Sequence, residues 1–445
     1  MPSLRVEALQ MSDKVKRCKD RFKGVKELPT LASYGILSAS ESSHEREVCP
    51  VCRGDYKRCR LEICPYLRGV RELLREIRSS RTVFGSSPPS ALIGSWGYPK
   101  VLAGPLVPPI QADTSLFDQP ARWLEIPLND LLAMRVSLIR GKRPTKVVDA
   151  RRPDRVLEVM QEIAMAERPL DVELELEKEP LISPSFHVRA SPTGPSAPMR
   201  KALIAENPSV PKPVERIVSD FDLKASEAVY ELYRSGLSDQ YIVRLLSIGL
   251  LGQKRWRKLV PTEWSITAVD DQLGRRLRSE ARQNPWINEV RIYTGYKHFN
   301  RITVLLLPGP WMFEVFEVWH KAAGLKLYHD SELPGDVDRY PENVGGAYHA
   351  LRLPILEHLS RERRQASAIV VAEIYEGWIP LGVWRFREIC RAALASPPQR
   401  FDDLNEALQA LRRLIDLPIE VIFRQSRVLR FHLEQTRLPN FIEIL

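Results

Sequence analysis

A multi-domain α+β fold is what this sequence predicts, and three observations predict it. Segments with helical spacing and segments with strand alternation are mixed without the regular alternation that a parallel α/β sheet requires. At 445 residues the chain is long enough for two to four domains, each with a core of its own. Its composition, 44% apolar and 27% charged, is that of a globular protein and excludes disorder over most of its length.

The elements follow in order. Residues 1–45 are first basic and then Ser-rich, and read as a weakly ordered arm. A cysteine-rich module occupies 46–75, and Leu67, Val70, Leu73, Leu74 and Ile77 give its end helical spacing. The stretch SSPPSALIGSWGYPKVLAGPLVPP reads as loop and strand because Pro and Gly punctuate it. From 124 to 165 apolar helix alternates with basic loop, GKRPTK being one such loop, and the alternation at 171–179 argues for a strand. Residues 184–217 carry many prolines and no sustained period, so they read as a long loop. Two helical patterns joined at Ser235 and Gly236 follow, with Ser238 placed to cap the second. The segment from Arg291 to His320 alternates as a strand pair with an aromatic face. After it come a helix in ENVGGAYHALRLPILEHLSRERRQ, a buried strand in ASAIVVAEIY, and a helix running into a strand in DDLNEALQALRRLIDLPIEV. No repeat of 20 to 50 residues is present.

Four of the six cysteines, Cys49, Cys52, Cys59 and Cys64, stand in the spacing C-x2-C-x6-C-x4-C. A two-residue gap lets both thiolates of a tight turn face one ion, and two further thiolates complete the tetrahedron that structural Zn2+ prefers. Disulfides and an iron–sulfur cluster are the competing readings. With all four positions filled by protein the site is closed, so it holds structure and does not catalyse. Arg53, Lys57, Arg58 and Arg60 offset the charge of the thiolates and are equally placed to touch phosphate. Cys18 reads as a lone thiol in the arm and Cys390 as a core residue.

A net charge of +10 favours a polyanionic partner such as DNA or RNA. Lys254, Arg255, Arg257 and Lys258 flank Trp256, a pattern in which cations neutralise phosphates while an aromatic ring stacks on a base. The helix pair at 223–249 admits a helix-turn-helix reading, with Ser238 to Ser247 as recognition helix and hence a transcription regulator; an αα-hairpin in a core gives the same pattern. Arg275, Arg276, Arg278 and Arg282 fall on one helix, either as DNA contacts or as a solvated face. An enzyme, such as a nuclease or a DNA- or nucleotide-modifying activity, would need carboxylates that converge, and Glu263, Asp270, Asp271, Glu314, Glu317 and Glu373 are the candidates. His187 with Arg189, and His298 with Tyr293 and Tyr296, are the other polar candidates. No Walker A, G-x-G-x-x-G, G-x-S-x-G or H-E-x-x-H signature occurs, so no catalytic residue is assigned. No apolar run reaches the roughly twenty residues of a membrane span, and the first residues lack the apolar region of a secretory signal. The expected setting is a reducing cytoplasm, beside the nucleoid.

The chain ends LEQTRLPNFIEIL. Gln435, Leu438, Phe441 and Ile442 occupy a frame in which one tight turn brings the three apolar side chains to one side as a plug, while Gln435 inserts its amide into a polar hole. Peptides dock on sliding clamps in this way. The alternative is a C-terminal segment that closes the protein's own core.

The cysteine module together with WGYPKVLAGPL at 96–106, GPSAPMRKALIAENP at 194–208, KLVPTEWSITAVDD at 258–271 and EIYEGWIPLGVWRFRE at 373–388 resembles the archaeal Nre family of DNA repair proteins. The resemblance runs from about residue 46 to the end. It implies an N-terminal Nre domain over 76–330, a C-terminal one over 331–432, a four-cysteine zinc finger, a role in DNA damage repair, and a tail at 433–445 that binds the sliding clamp PCNA. Ile442 stands where such clamp peptides carry a second aromatic residue. The resemblance hands over no catalytic residue.

Overall fold

The computed structural model describes residues 80–180, 190–321, 324–336 and 340–434. The four clustered cysteines, Cys18, the helical spacing at 67–77, His187, Arg189 and the clamp-type tail lie outside the described residues. The chain divides into two compact units, Met1–Val269 and Asp270–Leu445.

The first unit is built on a six-stranded sheet in the order β1-β5-β6-β4-β3-β2, where β1 is Thr82–Ser87, β2 Ala91–Ile93, β3 Lys100–Val107, β4 Ile139–Lys146, β5 Leu170–Leu176 and β6 Ser196–Ile204. All neighbours are antiparallel except β4 and β6. Strand β5 buries every second residue, as its LDVELEL alternation requires. Helix α1 spans Leu128–Val136 and α2 spans Arg155–Met165. The carboxylate of Asp154 caps α2 by accepting from the Leu157 N–H, and the buried stripe of Leu157, Met160, Ile163 and Ala164 faces inward. Val159 and Ile163 then join Val172, Leu174, Ala197 and Met199 in one core. Strands β3 and β4 cross so closely that a Cβ on Gly104 would lie 1.6 Å from the Gly141 carbonyl oxygen, so only glycine fits there. Helices α3 (Lys212–Ser219), α4 (Ala225–Arg234) and α5 (Asp239–Ser247) follow. The next helix, α6 (Thr262–Ala281), contains the division between the units.

The second unit carries its own six-stranded sheet, in the order β10-β9-β11-β8-β7-β12. Its strands are β7 Val290–Lys297, β8 Asn300–Leu307, β9 Met312–Lys321, β10 Gly324–Glu332, β11 Ser367–Ile374 and β12 Gln399–Phe401. Strand β11 runs parallel to β9 and antiparallel to β8 and is buried at every position. That burial explains its unbroken apolar run, SAIVVAEI. Helices α9 (Leu404–Leu414), α10 (Ile419–Gln425) and α11 (Arg427–Glu434) cover one face, packing on Leu305, Phe316, Val318, Ile369 and Val371. The other face receives α7 (Gly346–Glu362), whose Tyr348 meets Phe313 edge to face at 4.9 Å. Helix α8 (Trp384–Ala395) packs there too, against β7 and β8.

The α+β class is therefore observed, and several local expectations change. GKRPTK is not a loop but most of β4, held between β3 and β6. The Pro-rich stretch after 184 contains β6 and α3, with Pro198 accommodated inside the strand. DLPIEV enters the helix α10, because Pro418 starts a turn that the β-branched residues continue. The expected strand pair from Arg291 to His320 is three strands. Strand β10 runs through residues 330 and 331, and strands from both sides of that point share one sheet.

Candidate functional site

Ser238 caps α5 as expected, accepting from the Tyr241 N–H at 3.2 Å, and Gly236 takes a φ of +84° between α4 and α5. Helix α5 is nonetheless no recognition helix. Asp239 and all residues from Tyr241 to Ser247 are buried, which leaves no face for a DNA groove. The αα-hairpin reading is the one that the structure carries.

Lys254, Arg255 and Trp256 form a short 3-10 turn directly after this hairpin, and Trp256 is 64% exposed. Lys254 and Arg257 approach the Phe221 ring at 4.4 and 5.4 Å. Arg257 is buried and donates to the carbonyls of Gly252 and Val218, both at 2.8 Å, so its guanidinium builds the wall and is not offered to a ligand. Burial lowers its pKa, opposed by Asp220. Lys258 is exposed. Beside this turn lies a groove of about 740 Å3, lined among others by Arg151, Lys212, Arg216, Phe221 and Lys254. Arg216 reaches Glu231 at 3.3 Å on the exposed surface, and Glu215 is the acid in the lining. The groove is thus cationic with an apolar floor that includes Met165 and Leu250.

The candidate carboxylates of the second unit occupy separate places. Glu314 and Glu317 stand three residues apart on β9 and so face opposite sides of the sheet. Glu314 is fully buried and accepts from His329 at 2.7 Å, from the Arg427 N–H at 2.8 Å and from the Ser426 hydroxyl, tying the start of α11 to the sheet. Glu373 on β11 does the same for the start of α10: its Oε1 accepts from the N–H groups of Asp416 and Leu417, both at 2.9 Å. His320 and Asp416 bring ligand atoms within 4.8 Å of Glu373, a spacing that could hold a metal ion. Arg301, however, lies 3.3 Å from Glu373 and 3.1 Å from Asp416, and the Tyr375 hydroxyl, 2.7 Å from Asp416 and 3.2 Å from Glu373, shares its one proton between them. That cation and the N–H and O–H donors already engage both carboxylates, so the arrangement acts as a clamp on the α9–α10 connection. Asp270 is paired with Arg387 at 2.6 Å, both fully buried. Asp271 meets Arg352 at 2.7 Å, Arg275 at 2.8 Å and His349 at 3.3 Å. Burial raises its pKa, but His349, Arg352 and Arg275 outweigh that and hold the carboxyl well below the usual range. Glu263 sits half-buried in the first turn of α6.

The family described as Archaeal Nre, N-terminal matches residues 58–325, and Archaeal Nre, C-terminal matches 334–441. The chain belongs to the archaeal Nre family. It is 37% identical over 378 residues to the DNA repair protein NreB of Archaeoglobus fulgidus, across 83% of this chain and 94% of that protein. It is also 37% identical over 374 residues to the DNA repair protein NreA of the same organism, with the same coverage of both chains. To the DNA repair protein NreA of Haloferax volcanii it is 35% identical over 379 residues, covering 82% of this chain and 90% of that protein. No solved structure matches it.

Within the Nre chain, the other residues singled out by sequence take structural places. Arg275, Arg276 and Arg278 of α6 have carboxylate neighbours in Asp271, Glu280 and Glu332. Tyr293 and Tyr296 face opposite sides of β7, and Tyr293 pairs with His358 at 3.1 Å. His298 and Phe299 form the two-residue turn between β7 and β8 at φ of +49° and +60°, values more usual for Asn and Gly. Cys390 is buried in α8, and burial pushes its thiol pKa up, so it is an inert core residue. Sequence reasoning missed the groove residues Arg151, Lys212, Arg216 and Phe221. The one local signal was Phe221 itself, an apolar ring in the polar run SDFDLK. No helix among the described residues is long and apolar enough to cross a membrane.

Proposed function

We propose that this Nre protein is a DNA repair factor that holds DNA at the basic groove of its first unit and is recruited to the sliding clamp PCNA through its C-terminal peptide. The observation that carries this reading is the groove: Arg151, Lys212, Arg216 and Lys254 surround one depression, with Phe221 in its wall. Cations so placed neutralise phosphates and release counterions, and an exposed ring such as Trp256 offers a face to a base. Relatives named DNA repair proteins supply the biological setting. Gln435, Leu438, Phe441 and Ile442 would tether the protein to the clamp, and Cys49, Cys52, Cys59 and Cys64 would hold a structural Zn2+.

Fluorescence anisotropy with labelled oligonucleotides tests the groove. The double variant Arg216→Glu, Lys254→Glu should bind DNA at least about tenfold more weakly, and the slope of log affinity against log salt should fall by about one for each phosphate that is no longer neutralised. Unchanged affinity and slope would remove the groove from the DNA surface.

A further inference from the structure

We propose that Trp96, Tyr98 and Trp264 form a stacking platform for the bases of single-stranded nucleic acid, with Lys100, Lys146 and Lys258 receiving its phosphates. The proposal rests on the DNA-binding reading above and names the strand form that this second surface takes. Trp96 is 85% exposed, so its ring contributes almost nothing to the core that β3 enters four residues later. It stands in a tight turn, fixed by the Tyr98 N–H on the Ser95 carbonyl at 3.3 Å and the Lys100 N–H on the Gly97 carbonyl at 2.9 Å. Gly97 sits at a φ of +81° there. Tyr98 is exposed too, and its ring lies 5.3 Å from that of exposed Trp264, in the first turn of α6. The Ile93 N–H holds that turn by donating to Thr262 Oγ1 at 3.0 Å.

Backbone pairing brings the three lysines to the same edge. Lys100 and Lys146 are register partners on β3 and β4. The Val147 N–H donates to the Pro99 carbonyl at 3.0 Å, and the Leu259 N–H donates to the Val147 carbonyl at 2.8 Å, laying Lys258 alongside. All three lysines are exposed, and none has an ion-pair partner among the described residues. The nearby acids are Asp149, whose carboxylate accepts from the Lys146 N–H at 3.0 Å, and half-buried Glu263. Exposed rings beside unneutralised ammonium groups match unstacked bases on a phosphate backbone. A duplex keeps its bases stacked inside and offers only the charge, so the rings discriminate between the two forms.

The test compares an oligothymidylate with a duplex of equal length, using the purified full-length protein. In the Trp96→Ala, Trp264→Ala variant, affinity for oligothymidylate should fall about tenfold to a hundredfold while duplex affinity changes less than about twofold. Trp96→Phe, which keeps a ring, should restore most of the single-strand affinity. Equal weakening for both strand forms, or none, would overturn the platform. If the platform variant is unaffected while Arg216→Glu, Lys254→Glu weakens binding, the platform falls and the groove stands. If the unaltered protein binds neither oligonucleotide, both readings fall.

Discussion

Glu317 illustrates what one residue can report. It is buried on β9, its carboxylate accepts from the Trp319 indole N–H at 2.8 Å, and burial pushes its pKa up to about 7, against the pull of Trp319 and Arg385. Between about pH 4.5 and 7 the folded chain keeps a proton that the unfolded chain has lost, so this group lowers stability as pH rises and levels off above 7. Glu317→Gln removes that slope. Thermal melts should show the variant matching the native protein near pH 4.5 and exceeding it at pH 8, by up to about 3 kcal/mol. A constant difference across that range would refute the assignment. The sequence placed Glu314, Glu317 and Glu373 in one class of candidate acids, and nothing local separates them. Their roles depend on which face of a strand each occupies and on donors 43 and 113 residues away, such as the Asp416 and Arg427 N–H groups.

At the scale of elements, α11 depends on a side chain of another element. Its first turn is held by Ser426 Oγ, which accepts from the Leu429 N–H at 2.8 Å, and that hydroxyl is itself bonded to Glu314. Glu314→Ala strands the Ser426 hydroxyl in a buried place and takes the acceptor from the part-buried Arg427 N–H, so urea unfolding should show a loss of about 2 kcal/mol. Hydrogen exchange should rise across 427–434, and Glu314→Gln, which keeps an acceptor, should lose less. Helices α2, α5 and α9, with their strong periodicity, lie within the segments expected to be helical, and so does α7, which is buried on almost every side and shows little periodicity. β4 was not legible, because ridges of Lys, Arg and Pro on its exposed side hide a buried alternation of Ile139, Gly141 and Thr145. α10 was not, because Ile419, Val421 and Ile422 favour strands when taken alone and only packing against β-sheet residues selects the helix.

On the scale of the whole molecule, the proposed recruitment and the proposed DNA contact rest on different residues and should separate by mutation. Calorimetric titration of the PCNA ring with full-length protein should give micromolar or tighter binding, abolished in the Leu438→Ala, Phe441→Ala variant, while DNA affinity stays unchanged. Native protein that fails to bind the ring would return the tail to core packing. What the sequence could not disclose at this scale is how its stretches combine, since the cysteine spacing and the tail are local patterns whereas the groove joins residues from 150 to 257. The second sheet carries a related consequence. β8 and β9 are joined by a short connection, yet β11 lies between them. During synthesis both strands therefore emerge with an open inner edge and must wait for Ser367–Ile374 to close the gap. A chain that stopped near residue 330 would leave two adhesive edges exposed to other chains. In this unit residues of both family segments build one sheet, and the late strand acts as its latch.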